Sequence, residues 1–354
     1  YDNGIPIAVE SFPGNTLDHL TLKSALSKNI DNAKLSRFIL IADRGVCNYP
    51  NILHVTAGGN GYIMSKSLLK SNAEEKAWAY SEDGFIYESD KLIYKSRVVR
   101  RKVKNENGKI DEIAEKVVVY WSENFAKRSM KENKSFLEFL DKLMKSPQNF
   151  RVTATQAKSL RRFIDKKILN KKTGEVVNSS ELVAMIDKNK INAYKQSFGY
   201  YQLVTSELIM DDKEIIDKYH GLSQIENQFR IMKGDLNTRP LYVRNPEHIK
   251  AHLLICMIAL TVIRLIQNRI VKSGVVPSAE RKEVGWTMGL SGERIQRALN
   301  KWQVDLLPYD YYKFMNINDP DLKLILDAFN IKIPPKFYRR AELRQFKTNL
   351  KNFM

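Results

Sequence analysis

Tyr219-His-Gly-Leu-Ser-Gln-Ile-Glu-Asn-Gln-Phe-Arg-Ile-Met-Lys233 is the stretch from which the fold is read. Ile215, Ile216, Tyr219, Leu222, Ile225, Phe229 and Met232 recur at three- or four-residue spacing, the period of an amphipathic helix. Asp211 and Asp212 can cap its start, and Gly234 can end it. One continuous helix is expected. Tyr219, Glu226 and Lys233 are seven apart, so they would project from one side of it, beside the apolar stripe. A carboxylate next to a buried seam costs free energy unless a cation or phosphate site compensates it. Glu226 is therefore a candidate metal ligand. The alternative is an ordinary pair with Arg230, one turn later.

Upstream, Phe38-Ile39-Leu40-Ile41-Ala42 is a short, continuously apolar run, as in a strand buried on both faces. Asp43-Arg44-Gly45 ends it. An acid there would face the crevice beyond the strand ends, where ligands bind in α/β folds; a turn-forming Asp is the competing reading. Together, Asp43 and Glu226 suggest a shared site for Mg2+ or Mn2+, ions that prefer oxygen ligands. Two carboxylates seldom suffice, so a third is required. Asp2 is explained by its Asn-Gly turn. Ile5 to Phe12 reads as an extended run in a strand pair, and Thr16 can cap a helix to about Leu26. A further strand is expected near Gly61 to Met64. Ala57-Gly58-Gly59-Asn60-Gly61 lacks the spacing of a phosphate loop and reads as a turn.

From about Asp83 the character changes. Phe85–Tyr87, Lys91–Val103 and Lys116–Trp121 read as strands, with Asn107-Gly108 a hairpin turn. Lys95, Arg97, Arg100, Arg101, Lys102 and Lys104 crowd this region. Helices are expected over 123–145 and 155–168, a turn at Thr173-Gly174, and a strand over 200–205. Trp121 either packs in its strand or stacks on an unpaired base. Lys233, Arg230, Arg239 and Arg244 cluster around Glu226 in sequence and are phosphate-contact candidates. The chain divides into 1–82 (first part of a catalytic core), 83–198 (inserted β-rich and helical basic region), 199–272 (second part of the core) and 273–354 (basic helical tail of unknown role). Ser273-Gly274 to Pro277 reads as a linker.

The 354 residues allow two domains, and the net charge of +18 favours a polyanionic partner such as nucleic acid. Two cysteines, Cys47 and Cys256, exclude a disulfide framework or paired zinc ligands and fit a reducing cytosol. The apolar run Leu253–Ile266 is too short to span a bilayer and reads as a buried core helix over 247–271. His248 and His252 have the spacing of a zinc pair without the His-Glu-x-x-His signature, so packing is expected there. No Gly-x-Ser-x-Gly or kinase-like set occurs.

As a set, these residues resemble the DDE transposases of bacterial insertion sequences, in the IS-four superfamily. That family carries a Tyr-x2-Arg-x3-Glu-x6-Lys signature. Tyr219, Glu226 and Lys233 match it, and Leu222 stands in the Arg position. Gly221 to Lys233, Ile5-Pro6 through Asn15, Ala42 to Gly45, Val204 to Ser206, Thr238-Arg239-Pro240 and Glu247 to Leu254 resemble its long branch with a β-rich insertion. The resemblance covers residues 2 to 270. It implies a ribonuclease-H-like α/β fold: a mixed five-stranded sheet flanked by helices, interrupted by the basic β-rich insertion. It also implies metal-dependent DNA strand cleavage and strand transfer at insertion-sequence ends. Asp43 and Glu226 would be the second and third catalytic acids and hold Mg2+ or Mn2+; the first acid and the N-terminal DNA-binding part would lie before Tyr1. Lys233 and Tyr219 would contact phosphates, and Trp121 would match the aromatic that holds a flipped base in some relatives. The implied partners are double-stranded DNA, as transposon ends and target, and a second copy in the DNA complex; a cytoplasmic, nucleoid-associated protein without membrane contact is expected. The alternatives are a truncated, catalytically inactive DNA-binding remnant and a plain nuclease of the same fold.

Overall fold

A computed structural model of the chain describes residues 4–6, 8–33, 36–105, 107–150, 152–164, 179–236, 238–274, 282–283, 286–287, 290–333 and 336–345. The turn readings at Asp2-Asn3 and Thr173-Gly174, most of the 273–277 linker and the basic end after residue 345 lie outside the described residues. Two compact units emerge, Leu17–Tyr219 and Tyr1–Thr16 with His220–Met354.

The unit Leu17–Tyr219 is built on a mixed sheet. Helix α1 (Asp18–Ala33) leads to β1 (Ile39–Ala42), α2 (Tyr49–Ala57), β2 (Gly61–Lys66) and α3 (Ala73–Tyr80). β3 (Ile86–Ser89), β4 (Leu92–Lys104) and β5 (Ile110–Ser122) follow as antiparallel neighbours. Helices α4 (Glu123–Lys145), α5 (Ala154–Leu160), α6 (Ser179–Ala184) and α7 (Lys188–Gln196) come next, then β6 (Tyr200–Thr205) and α8 (Asp212–His220). The six strands run in the order β1-β2-β6-β5-β4-β3. β1 and β2 are parallel; β6 is antiparallel to both β2 and β5. The mixed six-stranded sheet with flanking helices fits a ribonuclease-H-like fold, but the expected five-stranded core sheet is not seen among the described residues: β1, β2 and β6 come from the segments read as core and β3–β5 from the basic segment between them.

Local chemistry places these elements. Asn48 caps α2 by accepting from the Asn51 N–H, with Pro at the first turn. Asn72 caps α3 through Glu75, and Thr153 with Gln156 forms a reciprocal capping box on α5. Gly108 takes φ +79° in the β4–β5 turn, a left-handed conformation open to glycine at little cost. One core lies on the sheet, where Ile52 and Val55 of α2 meet Tyr62, Met64, Val117, Val119 and Val204. A second gathers the inserted helices around Leu143, Leu160, Phe163 and Leu182.

Four expectations change here. Ile5–Phe12 forms no strand, because none of its described residues pairs with a neighbour. Among the described residues β1 pairs with β2 alone, and its residues are mostly half-buried rather than covered on both faces. The helix over 155–168 ends at Leu160 and passes into a single 3-10 turn, Arg161–Phe163. Lys95 is not part of a basic surface: it is 2% exposed. Its Nζ donates to the Ser81 and Asp83 carbonyls at 2.7 and 3.1 Å and sits 4.2 Å from the Phe85 ring centroid. Burial pushes its pKa down.

In the other unit, α9 (Leu222–Lys233) and α10 (Pro246–Lys272) are followed by β7 (Lys282–Glu283), β8 (Trp286–Thr287) and α11 (Gly292–Lys301). β9 (Val304–Leu307), β10 (Tyr311–Phe314), α12 (Pro320–Ala328), β11 (Tyr338–Arg339) and α13 (Arg340–Gln345) complete it. The core joins Ile231 of α9 to Leu260, Ile263, Ile266 and Ile270 of α10 and to α11 and α12. Arg264 is fully buried; its Nη1 donates to Gln267, whose amide donates to the Leu290 carbonyl. α10 is long and apolar enough to cross a membrane by length and composition. The core-helix reading holds for one face of it only. Ile255, Ile258, Val262 and Leu265 are exposed, as follows for a helix apolar all round with a neighbour on one side.

Candidate active site

Asp43 is the first residue beyond β1, at the carboxyl end of the parallel pair. Ala42 pairs with Met64, which sets Ser65 beside Asp43. Ser65 is 1% exposed and its hydroxyl donates to Asp43 Oδ1 at 2.9 Å. The same oxygen accepts the Arg44 N–H at 2.7 Å and faces the Tyr219 hydroxyl at 3.4 Å. Asp43 Oδ2 has no hydrogen bond among the described residues, and Asp43 as a whole is exposed. One carboxylate oxygen is thus held and the other is presented to solvent, an arrangement suited to a hard divalent cation.

Tyr219 lies on α8, is 8% exposed, and reaches the Tyr201 hydroxyl at 3.4 Å. Burial, with the Tyr201 contact and the Asp43 charge, pushes its pKa well above the phenol range. It stays protonated and can donate. Its burial directs it at Asp43 rather than at a surface. A cleft of about 120 Å³ adjoins Asp43, lined by Arg44, Ser65, Ser67, Ser197, Tyr201 and Gln202 among others. Ser65 and Tyr201 were not singled out from sequence; a serine after the apolar Tyr62-Ile63-Met64 run was the available signal. Trp121 is the penultimate residue of β5, paired with Ile93 on one side and Tyr200 on the other. It is half-buried, with its indole against Gly199, whose φ of +88° and lack of Cβ permit the approach.

The expected continuous helix is broken at Gly221. Asp211 caps α8, accepting from the Lys213 and Glu214 N–H groups at 2.9 and 3.2 Å. Tyr219 therefore stands on a different helix from Glu226 and Lys233. α9 also buries a different face from the one its periodicity predicts. Asn227 and Ile231 are buried, whereas Ile225 and Phe229 are 45% and 53% exposed. Glu226 is exposed rather than beside a buried seam, so desolvation supplies no argument for a cation. Its carboxylate has no hydrogen bond or ion pair among the described residues, so the pair with Arg230 does not form. Arg230 and Lys233 share its exposed side of α9, and Lys233 Nζ lies 5.6 Å from the Phe229 ring centroid. Arg239 and Arg244 are exposed on the segment between α9 and α10.

Asp43, Tyr219 and Trp121 belong to one unit; Glu226, Arg230, Lys233, Arg239 and Arg244 belong to the other. The structure brings Asp43 and Tyr219 together and gathers the second set on and just after α9. No group of three or more His, Cys, Asp and Glu side chains is clustered among the described residues. His252 Nε2 lies 3.8 Å from Cys256 Sγ, and His248 is exposed. A family model described as "Transposase DDE domain" matches residues 1–262. No curated protein matches the chain significantly.

Proposed function

Because the chain belongs to the transposase DDE domain family, we propose that it carries out metal-dependent DNA strand cleavage and strand transfer at the ends of an insertion sequence. The observation that carries this reading is the state of two carboxylates. Asp43 Oδ1 is fixed by Ser65, the Arg44 N–H and Tyr219, with Oδ2 free. Glu226 is exposed with no described partner. Both are hard oxygen donors with no ion pair among the described residues, which fits Mg2+ or Mn2+. When bound, such an ion supplies the positive charge that activates an attacking oxygen and stabilises a leaving one.

The chain's own residues then position and neutralise. Ser65 and Tyr219 hold the Asp43 carboxylate in one orientation. Lys233, Arg230, Arg239 and Arg244 bind phosphates near the cut. Trp121 stacks on an unpaired base near the cut. Two DNA ends held together call for two copies of the chain. A cytoplasmic, nucleoid-associated protein follows from the same reading.

The test uses supercoiled and end-containing DNA with a free 3′-hydroxyl donor. Wild type should nick with Mg2+ and join the donor to target, while Asp43→Asn and Glu226→Gln should do neither. Mg2+-dependent nicking retained in either variant sinks the assignment. Leu222 in the Arg position of the signature favours a second reading: an inactive DNA-binding remnant. Wild type that binds DNA and never cuts it would establish that reading. Nicking without joined product would mark a plain nuclease.

A further inference from the structure

We propose that the free half of the β4–β5 hairpin is a DNA-docking ribbon that lies in the major groove of duplex DNA, with Arg100, Lys102 and Lys104 against the phosphates. The inference rests on the reading that the partner is DNA, and it assigns residues that the cleavage chemistry does not use.

The strands of the hairpin are 13 residues each, far longer than their neighbours. β6 pairs with β5 only over Lys116–Trp121, and β3 pairs with β4 only at Leu92–Tyr94. From there to the turn at Asn105–Lys109 neither strand has a further strand partner among the described residues, and the opposite face packs on the core through Val99, Val103 and Ile113. A two-stranded ribbon fits the major groove, which is about 12 Å wide.

The structure sorts the six basic residues of this region. Lys95 is internal, and Arg97 sits over the Trp78 ring at 4.4 Å. Arg101 is locked between Glu75 and Glu115. Arg100, Lys102 and Lys104 alternate with these, are exposed, and share one face of β4. None of the three side chains has a hydrogen bond or ion pair among the described residues. Alternate residues on a strand stand about 6.8 Å apart, so the row covers roughly 13 Å. Of the nearby acids, Asp111 accepts from Asn105, and Glu112 lies opposite Lys102. Val98 and Ile110, 56% and 66% exposed, share the cationic face and can meet thymine methyl groups.

The test compares Arg100→Gln/Lys102→Gln/Lys104→Gln with a charge-matched control on α4, Lys131→Gln/Lys134→Gln/Lys142→Gln. Binding to a short duplex is measured without divalent ions from about 50 to 200 mM salt. Losing three phosphate contacts should reduce the log–log salt slope by about 2.7. The ribbon variant should therefore escape about 40-fold of the affinity that wild type loses over that salt range, while the control behaves as wild type. Wild type should protect guanine N7, a major-groove atom, from methylation, and the ribbon variant should not. Lys104→Glu alone, at the ribbon's far end, should weaken binding with unfolding temperature unchanged. An unchanged slope in the ribbon variant, an equal loss in the control, or unprotected N7 in wild type overturns the proposal. Failure of wild type to bind duplex at all would overturn both this ribbon and the DNA reading beneath it; failure of the ribbon alone leaves cleavage untouched, since the assay needs no metal.

Discussion

Arg101→Met should destabilise the unit that contains the sheet by about 3–5 kcal/mol, the cost of removing one partner from a buried ion pair. Arg101 reaches Glu75 Oε1 from α3 and Glu115 Oε2 from β5, each at 2.5 Å. Glu115 is completely buried and Glu75 is 8% exposed. Methionine fills most of the volume but removes the guanidinium that both carboxylates share; Glu75 keeps the Lys66 charge and Tyr62 still donates to Glu115 at 2.9 Å. At about 2–4 °C per kcal/mol for a unit of roughly 200 residues, the transition should fall by about 10 °C. Thermal unfolding by circular dichroism reads this directly. The pH dependence supplies a second check. Burial raises the Glu75 pKa, but hydrogen bonding and charge from Arg101, with Lys66 and Ser71, bring it below the usual carboxylate value. A lowered folded pKa means stability that is present above the unfolded pKa and lost as pH falls through the folded one. In Arg101→Met that carboxyl keeps its burial, loses the guanidinium and takes up a proton at higher pH. The gap between wild type and variant should therefore narrow from pH 7 toward pH 4. A drop under about 2 °C at pH 7, or a gap that widens on acidification, would refute the reasoning.

Leu143→Ala, at a fully buried position among the inserted helices, should cost about 2–5 kcal/mol by urea unfolding; a smaller loss would mean that the cluster collapses into the space. Cys47 should alkylate slowly at pH 8, because burial and then the Glu115 charge push its thiol up to about 11; iodoacetamide labelling at the rate of a free thiol would contradict the geometry around it. Tyr219→Phe should raise the Mn2+ concentration for half-maximal cleavage about 10-fold while leaving the unfolding temperature near wild type; an unchanged metal requirement would remove Tyr219 from the support of Asp43.

Sequence periodicity carries the sheet well. The strand over 200–205 and the helix over 123–145 are found as read, and the Asn107-Gly108 turn sits where glycine chemistry puts it. The Asp43 position was legible because an apolar run ended abruptly in an acid. What escaped depends on tertiary partners. Nothing local distinguishes Arg101, which enters a buried cluster, from Arg100, which faces solvent; the pleat decides, and β5 with α3 supplies the carboxylates. The break at Gly221 was hidden because apolar residues recur at helical spacing on both sides of it. Ile225 and Phe229 point outward because the core around Ile231 claims the neighbouring face of α9. Ser65 matters only because β1 and β2 pair in parallel, which no local pattern states.

The buried cluster around Glu115 also has a mechanical side. Glu115, at the root of the ribbon, holds Arg101 of β4 through one oxygen and Tyr62 of β2 through the other. β2 is the strand whose Ser65 grips Asp43 three residues later. The hairpin is thereby tied by charge-assisted bonds to the strand that aims the carboxylate, so a substitution at Glu115 would loosen both ends of that link.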